Sequence, residues 1–86
     1  MFRTKRLKVY DRKCDMCGLH VIGVQEQVEE CIEREGKVVE KYSYFRYFVV
    51  EKRGEVELRR TRASRLKETI VTARQWFKEH KCEGGK

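Results

Sequence analysis

Eighty-six residues make one domain, 1–86, with a small core, because a chain this short hides only somewhat more than half of the surface it exposes unfolded. The net charge of +7 and pI of about 9.4 favour nucleic acid, an anionic membrane surface or an acidic protein as partner. No apolar run approaches the roughly 20 residues of a membrane-spanning helix, and MFRTKRLKVY lacks the apolar segment of a signal peptide, which points to a cytoplasmic protein with no membrane partner.

Proline and asparagine are absent and 41% of the residues are charged, a profile that leans towards a thermophile. In a hyperthermophilic archaeon or one of its viruses, intracellular disulfides would be admissible.

Residues 3–10, RTKRLKVY, alternate Leu7 and Val9 with Arg6, Lys8 and Tyr10, as an edge strand rich in basic side chains would. KCDMCGLH follows, with Cys14 and Cys17 flanking two residues and Gly18 directly behind: the form of a zinc knuckle, in which backbone amides point at two thiolates. One C-x-x-C supplies half of a structural zinc site. His80 and Cys82 form an H-x-C pair at the far end of the chain, so the expected ligands are Cys14, Cys17, His80 and Cys82, a zinc staple across a core that needs one. A disulfide from a knuckle cysteine to Cys82, or free thiols, are the alternatives. A thioredoxin-like motif fits less well, since LHVIGV after the knuckle reads as a strand rather than a helix.

After Gly23, Val24, Val28, Cys31 and Ile32 recur at helical spacing, Gly36 is placed to stop a helix, and Glu26, Glu29, Glu30 and Glu33 fall on the opposite side. The expectation is an acidic helix facing away from any polyanion, with Cys31 on its inward stripe.

KVVEK, 37–41, leads in extended form into residues 42–62, YSYFRYFVVEKRGEVELRRTR, which read as a β-hairpin with an aromatic arm and an arginine-rich arm. A loop of Lys52, Arg53 and Gly54 sets Val50 against Val56 and Phe48 against Leu58, buries the apolar set, and puts Arg46 near Arg60 and Tyr47 near Arg59. Ser64 can then cap a helix with Leu66, Ile70, Ala73 and Phe77 as its apolar stripe and Trp76 beside it. The β-branched run 69–72 leaves open a strand at 66–71 with the helix starting near Thr72. Residues 82–86 read as a disordered tail.

The fold class expected is α+β: a small antiparallel sheet of about four strands with a central β-hairpin and two helices packed on one face. Strands, Gly turn, Arg-rich strand and Trp-bearing helix are similar in architecture to sheet-plus-helix modules such as the arm-binding domain of tyrosine recombinases and double-stranded RNA-binding domains. That likeness spans the second half of the chain and has no motif that transfers functional residues.

Catalytic groups are sparse; Asp11, Asp15 and Glu26 or His20 are the material for a metal-dependent nuclease, but no spacing singles them out, so the chain does not read as an enzyme. Arginines interleaved with aromatics match nucleic-acid binding, in which cations neutralise phosphate and rings stack on bases. The expected contacts are Arg6, Lys8, Arg46, Tyr47, Arg59, Arg60, Arg62 and Arg65, with DNA ahead of RNA and a homodimer compatible. The rival is a protein-interaction module, such as a small viral inhibitor gripping an acidic protein.

Overall fold

The computed structural model describes residues 2–82. Four strands, β1 (Phe2–Lys13), β2 (Leu19–Arg34), β3 (Lys37–Arg53) and β4 (Val56–Ala63), form one antiparallel sheet in the order β1-β2-β3-β4, and a single helix, α1 (Leu66–Glu79), lies across one face. The protein is mostly sheet, with one helix where two were expected.

Residues 19–34 account for the difference. Ile22, Val24, Glu26 and Val28 alternate along β2 and are all buried on one side, whereas Leu19 and Val21 are buried on the other. Such a two-sided strand carries apolar residues at both parities, and the set Val24, Val28 and Ile32 satisfies helical and strand periods alike. The acidic Glu26 in an apolar row disguises the alternation. The reversal after β2 is a two-residue turn in which both Glu35 (φ 53°) and Gly36 (φ 77°) adopt left-handed backbone, so Gly36 closes a hairpin instead of stopping a helix.

β3 and β4 form the expected hairpin, but its loop is Gly54–Glu55 and its register differs. Arg53 pairs with Val56, Leu58 is the extra residue of a bulge, and Val50 then faces Arg60, Phe48 faces Arg62 and Tyr47 faces Ala63. Arg46 is therefore not opposite Arg60, nor Tyr47 opposite Arg59. A second bulge at Val9 re-aims β1, turning Tyr10 and Arg12 to the helix side while Arg6 and Lys8 stay on the open side.

The main core lies between sheet and helix: Leu19, Val21, Val49 and Ala73, with Tyr10, Cys14, Cys17, Trp76 and Phe77 packed on it. Thr69 and Ala73 are the buried helix residues and Leu66 is exposed, so the inward stripe is rotated from that expected. Gly23 admits the helix closely, since a Cβ there would sit 3.1 Å from Thr69 Cγ2 and 3.2 Å from Tyr10 Cβ. Arg65, not Ser64, is the N-cap; the Ser64 amide instead donates to Glu68 (3.1 Å).

β4 ends opposite Tyr47 and β1 ends opposite Glu30, so β2 and β3 run on together as a two-stranded ribbon along the 64 Å long axis. Beyond both ends, residues 31–41 hold Glu33, Glu35 and Glu40 against Arg34, Lys37 and Lys41. The ribbon therefore carries equal numbers of carboxylates and cations. The segment expected as an acidic helix is the greater part of β2, and Cys31 lies where β2 continues into this ribbon.

Candidate metal centre and arginine groove

The Cys14–Cys17 turn is tied by the Cys14 amide to the Leu19 carbonyl (2.7 Å) and by the Gly18 amide to the Cys14 carbonyl (2.9 Å), with Gly18 at φ 77°. α1 ends at His80, where the backbone becomes extended and carries Cys82 to the same place. The ligand atoms of Cys14, Cys17, His80 and Cys82 all lie within 4.8 Å of one another, so these four residues can bind a metal ion. Two observations fit that chemistry. His80 Nδ1 donates to the Phe77 carbonyl, which leaves Nε2 as the lone-pair nitrogen; it is buried and has no hydrogen-bond partner. The sulfurs of Cys14 and Cys82 stand 3.6 Å apart without a disulfide.

The thiols titrate far apart. The Cys17 amide first, then the neighbouring His80 imidazole and the Met16 amide, lower Cys14 to about 6. Desolvation first, then the neighbouring Cys17 and Cys14 sulfurs, push Cys82 up to about 12. The Phe77 carbonyl first, and then Cys14, raise the basicity of His80. One thiolate forms readily and another is strongly resisted, the condition that a divalent cation among the sulfurs relieves.

The second feature is on the sheet face opposite the helix. Glu26, 4% exposed, sits in the middle of β2 and accepts hydrogen bonds from Arg6 Nε on β1 (2.7 Å) and from Arg46 Nη2 on β3. Arg6 first, and then Arg46, hold its carboxyl below the usual carboxylate range although burial opposes ionisation. Arg6, Arg46, Arg60 and Arg62 with Phe48 line one groove of about 460 Å³ around this carboxylate. The Arg6 and Arg60 guanidinium carbons lie 5.9 and 5.1 Å from the centre of the Phe48 ring. Arg60 is also paired with Glu57 (2.8 Å), whereas Arg62 has no carboxylate within ion-pair distance among the described residues.

Comparisons with known proteins return no match to a family model, a curated protein or a solved structure. Function must be argued from these two sites alone.

The expected contacts divide between the faces. Arg6, Lys8, Arg46, Arg60 and Arg62 share the open face, with Lys8 3.6 Å from Asp11. Tyr47 has the helix-side parity of β3 and borders the groove only at the strand edge, where β4 stops. Arg59 is on the helix face, 3.9 Å over the Trp76 ring and bonded to Glu51, and Arg65 is the helix N-cap. Of the nuclease candidates, Asp11 pairs with His20 and Glu26 is engaged by arginines on another part of the sheet. Sequence reasoning missed Glu26 as the organiser of the groove; its signal was a carboxylate at an apolar parity of β2.

Proposed function

We propose that this is a small nucleic-acid-binding protein, clasped by zinc at Cys14, Cys17, His80 and Cys82, whose arginine groove on the open face of the sheet takes the phosphate backbone. The observation that carries the reading is that four guanidinium groups share one groove with Glu26, the one buried carboxylate among the described residues. A carboxylate that binds two arginines fixes their direction without cancelling four positive charges, and oriented guanidiniums suit phosphate, which they grip through paired N–H donors. Zinc follows from the donor set: three thiolates and one imidazole are the ligands of a closed structural zinc site.

Fluorescence anisotropy with labelled oligonucleotides over a salt series tests the reading. Log affinity should fall linearly with log salt, and Arg60 and Arg62 changed together to alanine should flatten the slope by about 1.5 units. No detectable binding of duplex, single-stranded DNA or RNA at low salt would overturn it in favour of an acidic protein partner.

A further inference from the structure

We infer that the groove receives a single strand rather than a duplex, with phosphates on Arg46 and Arg62 and bases stacked on Phe45 and Tyr47. The inference rests on the nucleic-acid reading and specifies its ligand. β4 stops at Ala63 opposite Tyr47, so the β3 edge beyond it carries no further strand, and the groove turns this edge from the arginines to Phe45 and Tyr47. Those two rings stand at i, i+2 on the strand, 6.4 Å apart and 28° from parallel, and Phe45 is 51% exposed. They form a short aromatic ladder on the helix side of β3, across its bare edge from Arg46 and Arg62, so a strand laid over that edge can set phosphates on one side and bases on the other.

The other rings are less suited. Phe48 already has Arg6 and Arg60 over it. Tyr42 and Tyr44 form a similar ladder with centroids 6.5 Å apart, but Tyr44 donates to Glu30 (3.3 Å) and Glu40 is close by on the same ribbon. Phosphates there would meet carboxylates. A duplex, in turn, keeps its base faces stacked away from any protein ring.

The test compares labelled single strands of about 12 nucleotides, oligothymidylate and oligouridylate, with a duplex of the same length at one salt concentration. Single strands should bind at least about tenfold more tightly than duplex, and Phe45→Ala should weaken them about tenfold while leaving duplex affinity unchanged. Phe45→Trp should retain single-strand affinity and show fluorescence quenching on binding. Duplex binding as tight as single-strand binding, or no effect of Phe45→Ala on folded protein, overturns this inference and leaves nucleic-acid binding standing. Failure of every probe to bind overturns both.

Discussion

Replacing Glu26 with glutamine isolates the charge that holds the open face together. Removing one partner of a fully buried ion pair costs about 3–5 kcal/mol. Here the carboxylate is buried but the Arg6 and Arg46 side chains are 70% and 48% exposed, so water takes up much of the loss. Glutamine also keeps one carbonyl acceptor. The expected cost is about 2 kcal/mol at neutral pH, a fall of about 10 °C in Tm for a chain of this size. Because its arginine partners hold the folded-state pKa of Glu26 below the ordinary 4.5, its contribution is complete above that value and is lost as pH falls through the folded-state pKa. Glutamine has no such titration. Urea unfolding of both proteins at neutral pH and near pH 3 should show the gap closing in acid, and protonation of the thiolates cancels because it affects both alike. A gap under about 0.5 kcal/mol at neutral pH, or one that persists in acid, would refute the assignment of Glu26 as a charge-paired buried carboxylate.

Elemental analysis of purified protein should find about one equivalent of zinc, and less than about half an equivalent would remove the zinc assignment. Cys17→Ser, or a chelator, should lower Tm by about 10 °C or more, read by circular dichroism. Gly23→Val should destabilise by about 1–3 kcal/mol in urea titration, because its side chain would press on Thr69 and Tyr10 under the helix. Arg59→Ala should cost only about 0.5–1 kcal/mol and alter Trp76 emission, since it removes a cation from that ring. Its salt slope for nucleic acid should match the parent's, in contrast to Arg60 and Arg62, and an equal loss of slope would place the interface on the helix face instead.

The strongest short-range signals in the chain were read correctly because they depend on neighbours alone. Gly54 closes a hairpin between the two runs flanking it, and the stretch after Ser64 makes a helix despite its β-branched residues. Cys14, Cys17, His80 and Cys82 could be matched because metal-ligand chemistry limits which residues may join, although 68 positions separate the first from the last. What failed depends on partners elsewhere. Val24, Val28 and Ile32 fit the period of a helix and of a strand alike, and Glu26 is tolerable among them only because Arg6 and Arg46 arrive from two other strands. The hairpin register went wrong chiefly because the loop is Gly54–Glu55 and not Lys52–Gly54, which moves the pairing three places, and the bulge at Leu58 adds a fourth that no residue type announces.

With an ion bound at its four ligands, the protein has an unusual mechanical character. Once β1 is stripped, tension applied to the two ends would pass through the ion, and everything between Cys14 and Cys82 would lie inside a closed loop that carries no load. Only β1, 12 residues and about 40 Å of extended backbone, stands outside that loop among the ordered elements. A tug on the loaded chain would peel that strand and then stall until a metal–ligand bond gave way, whereas the metal-free chain would unravel from either end.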